Sequence, residues 1–508
     1  MNIYCDETIF ESIASGTPEK EDSLKIVEMV KIGTLRGWVS SATKYNSVAA
    51  SKPQPIKGIF DGFAEVPLRR SVTDAVLAAT GDTAAMLHSL SAKQFHIPYL
   101  VTVDKKRYAL ICDAKVVDPA EVIRLATKNI GLSTIVPFLD LKAQHYQIYN
   151  EIDDRITDII ANTGFILGKY VEELEQEFAK LHHVKYCLAV STGTDALHIA
   201  MLALGIGQGD RVAIPTNTFI ATAEGVSLVG AIPVFVDCDE YYNIDTKKLE
   251  ALIFSDNRSG IPPLKAVIPV HLYGQPANMI EIQRIARLYG IAVVEDACQA
   301  HCASFRGTPV GGFSSLTAFS FYPGKNLGAY GEAGALITND EQLYQIAKMY
   351  RQHGEITRYH HQIAGHNYRM EAIQGAVLGV KIKYVREWTA LRQKHAQLYN
   401  SLLASNPKVQ TPKVLQEAEH VYHLYIIQAQ QRDELKAFLE KKGIATALHY
   451  PIPLHMQEAY RYLGYKEGDC PIAEAAAQRI LSLPMFPELR DDEIAYVCDT
   501  INIFYAKS

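Results

Sequence analysis

The sequence predicts an α/β protein in which a mostly parallel sheet is sandwiched by helices. From about residue 136 onward, short and nearly continuous apolar runs alternate with amphipathic helical segments. Apolar runs of this length are typical of strands that are buried on both faces, and strands that alternate with helices form parallel sheets. The predicted strands of this sheet are residues 186–190, 211–215, 232–236, 266–270, 291–294 and 317–322.

The composition is that of an ordinary globular protein. The 508 residues are 48% hydrophobic and 21% charged, which excludes a mostly disordered chain. The 50 lysines and arginines are outnumbered by 56 aspartates and glutamates, so a net charge of −6 provides no bulk positive field for nucleic acid or an anionic membrane. We find no signal peptide and no apolar run of roughly 18 residues that could span a membrane. The eight scattered cysteines favour a reducing cytoplasm.

The pattern of apolar and polar residues changes near residues 128–135. Before this point the sequence has the pattern of a small α/β unit, with strands predicted at 3–5 and 98–103 and helices at 22–32, 84–95 and 120–127. After a long helical region at 374–400, a second small α/β pattern comprises 420–428, a helix at 433–442, and 447–450. We therefore predict a small α/β domain, a linker, a large α/β domain and a smaller C-terminal α/β lobe at residues 1–127, 128–135, 136–385 and 386–508.

Polar residues follow several of the predicted strands at their carboxyl ends, where an open parallel sheet collects its ligand-binding groups. Residues 191–194 read Ser-Thr-Gly-Thr and precede a helix predicted at 195–204, so exposed N–H groups and hydroxyls could bind an anion there. Taken alone, this segment is more often an ordinary helix N-cap. Asp296 follows the run 291–294, and taken alone it is more often a cap or an ion-pair partner.

A lysine on a glycine-rich loop completes this set of residues. Lys325 lies in the segment 323–328, directly after the apolar run 317–322, and Ser320 precedes it by five residues. A single lysine is most often a solvated surface group, but an amine, a strand-end carboxylate and an anion-binding turn together fit pyridoxal phosphate. A desolvated lysine also has a lowered pKa and can act as a base.

No metal site is predicted. Cys298 and Cys302 flank His301, but no second pair of ligands stands at zinc spacing.

From Val136 to its end, the chain resembles the DegT/DnrJ/EryC1/StrS family of sugar aminotransferases, which are fold-type I enzymes that use pyridoxal phosphate. The order and the spacing of the matching segments, rather than any one motif, carry this resemblance. The segments are VPFLDL at 136–141, STGTDAL at 191–197, PTNTFIAT at 215–222, EDACQA at 295–300, FSFYPGKN at 319–326 and GHNYRM at 365–370.

The resemblance implies a role for each residue around the cofactor ring. Lys325 would be joined covalently to the cofactor and would move the proton between the substrate carbon and the cofactor carbon. Asp296 would pair with the pyridinium nitrogen, and Gln299 would form a hydrogen bond with the phenolic oxygen. Phe219 would stack on the ring, where an aromatic face contributes on the order of 1 kcal/mol.

The resemblance also implies a phosphate site and a second subunit. Gly193, Thr194 and Ser320 would bind the cofactor phosphate. Asn367 would reach the phosphate of the neighbouring subunit, so a homodimer with shared active sites is implied.

The implied reaction moves an amino group in two half-reactions. L-glutamate would give its amino group to the cofactor and leave as 2-oxoglutarate, and a nucleotide-linked keto-sugar would then take the amine. Some relatives carry histidine in place of the lysine and are dehydratases, so Lys325 favours amino transfer. The segment 271–275 resembles members that act on 3-keto rather than 4-keto sugars. The stretch that contacts the sugar in relatives contains Tyr359, His360, His361 and His366, and a surface or core role suits these histidines equally well.

Residues 1–127 resemble a different family, the PIN-type nucleases, which hold magnesium or manganese with clustered carboxylates. Asp6 and Asp104 match that pattern, but the stretch 39–45 has no acidic residue and Asp82 is displaced. We therefore favour a docking or regulatory role over nuclease activity. Two alternatives for the whole chain remain open, a metal-dependent RNA nuclease and a non-catalytic regulator that holds the cofactor.

Overall fold

The computed structural model describes residues 136–506 and five short strands of the N-terminal region. The strands are β1 (Asn2–Cys5), β2 (Arg36–Ser40), β3 (Phe63–Val66), β4 (Tyr99–Val101) and β5 (Lys115–Val117). They form one parallel sheet in the order β3-β2-β1-β4-β5. The strands predicted at 3–5 and 98–103 are therefore confirmed, with bounds that differ slightly.

Other predictions for the N-terminal region concern residues that lie outside the described part of the chain. These are the helices at 22–32, 84–95 and 120–127, the linker at 128–135, and the residues Asp6, Asp82 and Asp104. The resemblance to PIN-type nucleases therefore stays a prediction.

The chain falls into two compact units. The described residues of the first are the N-terminal sheet and residues 142–151, and those of the second are residues 136–141 and 152–506. The domain boundaries predicted from the sequence, including the division of the second unit at 385, stay predictions.

The second unit is built around a seven-stranded sheet. Its strands are β6 (Tyr186–Val190), β7 (Arg211–Pro215), β8 (Ile232–Val236), β9 (Leu264–Val267), β10 (Ala292–Asp296), β11 (Leu316–Ser320) and β12 (Gly334–Thr338). The strand order is β6-β12-β11-β10-β9-β7-β8, and only β12 runs antiparallel to its neighbours. The mostly parallel sheet predicted from the apolar runs is confirmed.

Helices cover both faces of this sheet, as the buried strands require. Val212 and Ile214 on β7 pack in a cluster with residues of the helix at Gly193–Ala203. Ala213, between them, packs on the other side with Ile282 and Ile285. Because successive side chains of a strand point to opposite faces, burial of all three requires cover on both sides.

The helices of the described residues follow in chain order. They are α1 (Leu141–Asn162), α2 (Lys169–Leu181), α3 (Gly193–Ala203), α4 (Ile220–Ser227), α5 (Thr246–Ser259), α6 (Met279–Tyr289), α7 (Glu341–Arg351), α8 (Ala372–Lys381), α9 (Val385–Leu403), α10 (Arg432–Lys441), α11 (Pro471–Ala477) and α12 (Asp491–Ala506). Side chains cap several N-termini, for example Asp245 at α5 and Asp340 at α7. None of the helices in the described ranges is long and apolar enough to cross a membrane.

A three-stranded antiparallel sheet forms a second core near the C-terminus. It comprises β13 (Val409–Gln410), β14 (Tyr425–Ala429) and β15 (Ile480–Leu483). Its strands pack with α9, α10 and α12 in one apolar cluster. Shorter strands occur at Ser304–Phe305, Thr308–Pro309, Glu355–Thr357, His360–His361 and Ala418–Glu419.

Three predicted strands have different bounds in the structure. The strand predicted at 266–270 is β9, Leu264–Val267, because Pro269 cannot donate to a strand ladder. The strand predicted at 291–294 extends to Asp296, so this carboxylate belongs to the last residue of β10. The strand predicted at 317–322 is β11, Leu316–Ser320, and the glycine-rich loop begins directly after it.

The remaining differences concern helices and the C-terminal pattern. The helix predicted at 195–204 starts two residues earlier because Thr192 accepts a capping hydrogen bond from the Asp195 N–H group. The helical region predicted at 374–400 is broken between α8 and α9, although no proline or glycine marks the break. Residues 421–424 pair with the turn at 272–274, so only Tyr425–Ala429 at the end of the predicted segment 420–428 forms a strand. Residues 447–450 form only an isolated bridge from Ala447 to Ser482.

Candidate active site

A cavity of about 760 Å³ lies at the carboxyl ends of β6, β7, β10 and β11. Residues that directly follow these strands form one wall, as expected for an open parallel sheet. His423, His449, Tyr450 and Met485 form another part of the wall and come from the C-terminal part of the chain.

Seven of the eight residues predicted to form the site line this cavity. They are Gly193, Thr194, Phe219, Asp296, Gln299, Ser320 and Lys325. Asn367 does not line it: its side chain is exposed, and its Oδ1 atom accepts a hydrogen bond from Arg369 Nε at 3.0 Å. Tyr359, His360, His361 and His366 do not line the cavity of this chain either.

Lys325 is held at the cavity by a tight loop. The Lys325 N–H group donates to the Tyr322 carbonyl oxygen at 2.8 Å, and the Ala329 N–H group donates to the Phe321 carbonyl oxygen at 2.7 Å. A Cβ atom on Gly328 would lie 2.3 Å from the Pro323 carbonyl oxygen, so only glycine fits where the loop folds back on itself. Within the described chain, Lys325 Nζ has no hydrogen-bond or ion-pair partner. Burial lowers the pKa of Lys325, and nearby Cys298 and Asp296 oppose this shift.

The Asp296 carboxylate is buried and receives two hydrogen bonds. Thr222 Oγ1 donates to its Oδ2 atom at 2.8 Å, and the Cys298 N–H group donates to its Oδ1 atom at 3.1 Å. These donors hold the carboxylate in one orientation at the cavity wall, where its remaining lone pairs can accept a proton-bearing ring nitrogen.

The orientation of the Gln299 amide is set by the backbone. The Tyr273 N–H group donates to Gln299 Oε1 at 2.7 Å, so the amide nitrogen is the end left for the cavity. This Nε2 atom donates to Tyr450 Oη at 3.2 Å. Gln299 therefore presents a donor, as its predicted partnership with a phenolic oxygen requires.

An anion-binding turn is formed where β6 runs into α3. The N–H groups of Gly193 and Thr194 start the helix and have no intrahelical acceptor, and the helix dipole favours negative charge there. Space at this turn is tight: a Cβ atom on Gly193 would lie 2.7 Å from Ser320 Cβ. A Cβ atom on Gly334 would lie 2.4 Å from the Thr192 carbonyl. The anion-binding turn therefore depends on glycines that allow close approach of the backbone.

Phe219 immediately precedes α4, and 51% of its surface is exposed. Its ring centroid lies 5.5 Å from that of Tyr450, at an interplanar angle of 38°. An exposed aromatic face at a cavity is available to stack on a planar ligand.

Sequence reasoning missed the contribution of His423, His449 and Tyr450. Burial, together with the nearby positive charge of Lys325, lowers the pKa of His449 to about 4 and that of His423 well below its usual range. These histidines are therefore neutral at pH 7. His449 Nδ1 lies 2.7 Å from Ser482 Oγ. The only indication in the sequence was the His-Tyr pair at 449–450, and it lies in a segment that was interpreted as part of a small α/β pattern.

The segment 271–275 lies behind the cavity wall. His271 Nδ1 accepts a hydrogen bond from the Ala277 N–H group, so the ring proton is on Nε2, which donates to Glu295 Oε2 at 2.9 Å. Both side chains are fully buried. This pair anchors the turn whose Tyr273 N–H group orients Gln299.

The donor set of the cavity fits pyridoxal phosphate. The cavity presents the Lys325 amine, which has no partner among the described residues, the buried Asp296 carboxylate and the oriented Gln299 amide donor. It also presents the N-terminus of α3, where glycine at position 193 leaves room that a Cβ atom would fill. These are the groups that this cofactor requires for its aldehyde, ring nitrogen, phenolic oxygen and phosphate.

Comparison with known proteins agrees with this geometry. The model of the DegT/DnrJ/EryC1/StrS aminotransferase family matches residues 146–502. The chain is 44% identical over 373 residues to a pleiotropic regulatory protein of Geobacillus stearothermophilus, covering 73% of this chain and 98% of the relative. It is 39% identical over 366 residues to the dTDP-3-amino-3,4,6-trideoxy-alpha-D-glucose transaminase of Streptomyces venezuelae, with coverages of 72% and 95%. The crystal structure of S. venezuelae DesV in complex with a ketimine intermediate matches with a TM-score of 0.71 at 38% identity, covering 73% of this chain and 99% of that chain.

Proposed function

Because the chain belongs to the DegT/DnrJ/EryC1/StrS aminotransferase family, we propose that it moves an amino group from L-glutamate to a nucleotide-linked 3-keto-sugar. The family and its structural neighbours establish a nucleotide-sugar aminotransferase that depends on pyridoxal phosphate. The donor and the position of the keto group are the proposed part. The observation that carries the amino-transfer chemistry is that Lys325 and Asp296 line one cavity.

We assign the chemical steps to two residues. Pyridoxal phosphate, when bound, supplies an electron sink for the carbon that carries the transferred nitrogen. Lys325 moves a proton at that carbon, and burial, which lowers its pKa below the ordinary value, favours the neutral amine that acts as a base. Asp296 keeps a proton on the ring nitrogen, because a buried carboxylate already oriented by two donors accepts this proton-bearing nitrogen without rearrangement.

Five other residues hold the cofactor in this proposal. Gly193 and Thr194, at the N-terminus of α3, and Ser320 bind the phosphate. Phe219 stacks on the ring, and Gln299 Nε2 donates to the phenolic oxygen, its orientation being set by the backbone.

The preference for a 3-keto group rests on the relatives. The Streptomyces venezuelae relative is named as the transaminase of a 3-amino sugar, and the match covers 95% of its length. L-glutamate is proposed as the donor because the family resemblance implies it.

Two measurements test the function. The purified protein with pyridoxal phosphate is expected to show the visible absorbance band of a lysine-bound cofactor, and Lys325→Ala is expected to lose it. Lys265→Ala is the matched control, because this lysine is exposed on β9. With glutamate and a panel of dTDP-, UDP- and GDP-keto-sugars, the wild type is expected to form 2-oxoglutarate most rapidly with a 3-keto-sugar. If the wild-type protein with pyridoxal phosphate lacks the band, the proposed roles of Lys325 and Asp296 are refuted. Faster turnover of 4-keto-sugars than of 3-keto-sugars would refute the 3-keto preference.

The Geobacillus relative favours a second candidate function. It is named a pleiotropic regulatory protein, so this chain could hold the cofactor as a regulator without turnover. The same assay distinguishes the two functions: a regulator shows the visible band but forms no 2-oxoglutarate with any keto-sugar of the panel.

A further inference from the structure

Two threonines form a hydrogen-bonded chain that ends on Asp296. Thr218 Oγ1 and Thr222 Oγ1 are 2.9 Å apart, and Thr222 Oγ1 is 2.8 Å from Asp296 Oδ2. The exposed fractions of the three residues are only 3%, 1% and 4%. Both threonines also line the cavity.

The Asp296 carboxylate sets the direction of these two hydrogen bonds. An ionised carboxylate can only accept hydrogen bonds, so the Thr222 hydroxyl must donate its single proton to Asp296. The Thr222 oxygen is then left to accept from the Thr218 hydroxyl. Each hydroxyl therefore donates one hydrogen bond: Thr218 donates to Thr222, and Thr222 donates to the Asp296 carboxylate.

The Thr222 hydroxyl is used differently from the buried threonine hydroxyls of α9 and α12. Thr389 Oγ1 donates to the Val385 carbonyl oxygen, and Thr500 Oγ1 donates to the Tyr496 carbonyl oxygen, which is the usual local bond of a threonine within a helix. Thr222 lies in the first turn of α4. Its hydroxyl instead contacts a side chain 74 residues away.

We propose that Thr222, supported by Thr218, is a positioning residue that holds the Asp296 carboxylate against the cofactor ring nitrogen. The inference rests on the proposed role of Asp296. Thr222 fixes Oδ2 while the Cys298 N–H group fixes Oδ1, so the carboxylate needs no rearrangement when the ring binds. Phe219 lies on the same turn, so one turn at the start of α4 sets both the ring-stacking contact and the ring-nitrogen contact.

Substitutions that keep the shape of the side chain test this role. Thr222→Val removes the hydroxyl and keeps the volume, whereas Thr222→Ser keeps the hydroxyl. Thr222→Val is expected to weaken cofactor binding about tenfold, as for one lost hydrogen bond to a charged group, and to lower kcat with little change in the KM for the keto-sugar. Thr222→Ser is expected to stay within about twofold of wild type, since the donor is retained. Thr389→Val is the control, because it removes a buried hydroxyl bonded only to its own helix.

Cofactor affinity is measured from the visible band as pyridoxal phosphate is titrated into the apo protein, which gives a readout separate from activity. Equal affinity and kcat in wild type and Thr222→Val would overturn the inference. If Thr222→Val does not fold, Thr222→Ala removes the same hydroxyl and decides in the same way. The proposed function fails separately, when Lys325→Ala keeps the visible band or Asp296→Asn leaves affinity and kcat unchanged.

Discussion

Lys325 is the residue whose chemistry depends most on its surroundings. Burial lowers its pKa, and the neighbouring Cys298 and Asp296 oppose this shift without outweighing it. A lysine in this state is deprotonated over a wider pH range than a solvated one, and only the neutral amine attacks an aldehyde.

The rate of cofactor attachment should therefore depend on pH in a defined direction. Below its folded pKa the amine is protonated and unreactive, so attachment slows as pH falls. Because the pKa lies below the ordinary value of 10.5, the half-maximal rate is expected at a lower pH than that. The measurement is the growth of the visible band after pyridoxal phosphate is mixed with apo protein at a series of pH values. A half-maximum at or above 10.5 would contradict the lowered pKa.

At the scale of elements, β12 must pass very close to the start of α3. Gly334 pairs with both Val190 and Ser320 in the sheet. A Cβ atom on Gly334 would lie 2.4 Å from both the carbonyl carbon and the carbonyl oxygen of Thr192. Because these are backbone atoms, the strand and the anion-binding turn would have to separate.

Gly334→Ala is therefore expected to damage both stability and cofactor binding. Overpacking at this contact should cost about 2 kcal/mol of unfolding free energy, and displacement of the turn should weaken cofactor binding. Denaturant unfolding and titration with pyridoxal phosphate measure the two effects. Gly164→Ala is the control, because a Cβ atom there meets no atom within 4 Å. Equal stability of the two variants would show that the contact is not tight.

The His271–Glu295 pair joins β10 to the turn that orients Gln299. Burial opposes ionisation of Glu295, but hydrogen bonds from His271, Ser314 and Gly311 outweigh it and lower the pKa of this carboxyl below 4.5. A carboxyl with a lowered pKa stabilises the folded state fully above its unfolded pKa. This contribution is lost as pH falls through the folded value.

Glu295→Gln should accordingly be less stable than wild type in a pH-dependent manner. At neutral pH we expect a loss of about 2 kcal/mol, as for hydrogen bonds to a charged group. The difference should shrink as pH falls below 4.5, where the wild-type carboxyl takes up its proton. Urea unfolding at neutral and acidic pH measures it, and Glu467→Gln, at an exposed position, is the control. A difference that is constant with pH would contradict the assigned ionisation.

At the scale of the whole molecule, the exposed Asn367 suggests a second subunit. Its side chain lies outside the cavity of its own chain, whereas family resemblance implies a contact with phosphate. We propose a homodimer in which Asn367 of each chain completes the site of its neighbour.

Subunit mixing tests the proposed dimer. Lys325→Ala and Asn367→Ala are each expected to be poorly active alone, while a refolded 1:1 mixture should regain about a quarter of wild-type activity, because half the dimers contain one intact site of two. Lys265→Ala replaces Lys325→Ala in a control mixture with Asn367→Ala. No gain upon mixing the two inactive variants would contradict shared sites.

The N-terminal sheet is expected to be dispensable for the chemistry. All cavity-lining residues in the described chain lie between Phe138 and Met485. Asp6→Asn should therefore leave aminotransferase activity unchanged. In the same preparations, RNA incubated with Mg²⁺ or Mn²⁺ should remain intact. Metal-dependent cleavage that Asp6→Asn abolishes would instead establish the nuclease alternative.

The accuracy of the sequence predictions depended on whether their signal was local. The strands 186–190, 211–215 and 232–236 were predicted without error because each is a short, mostly apolar run that a polar residue follows directly. The break between α8 and α9 was missed because neither proline nor glycine marks it. In the site, the strand-end rule brought Asp296 and Lys325 together correctly, while Tyr450 was missed because it contacts Gln299 across 151 residues of chain.

The sequence by itself determined the parallel sheet, the family and seven residues that line the cavity, because these are recorded in local apolar periodicity and in motifs at fixed positions after strands. Only the tertiary structure decided which side chains complete the cavity and how its groups are oriented. His449 and Tyr450 reach the cavity from the C-terminal region, and Thr222 of α4 meets Asp296 of β10 through a side-chain hydrogen bond. Such contacts join residues far apart in the chain, and their geometry follows from how helices and strands pack together.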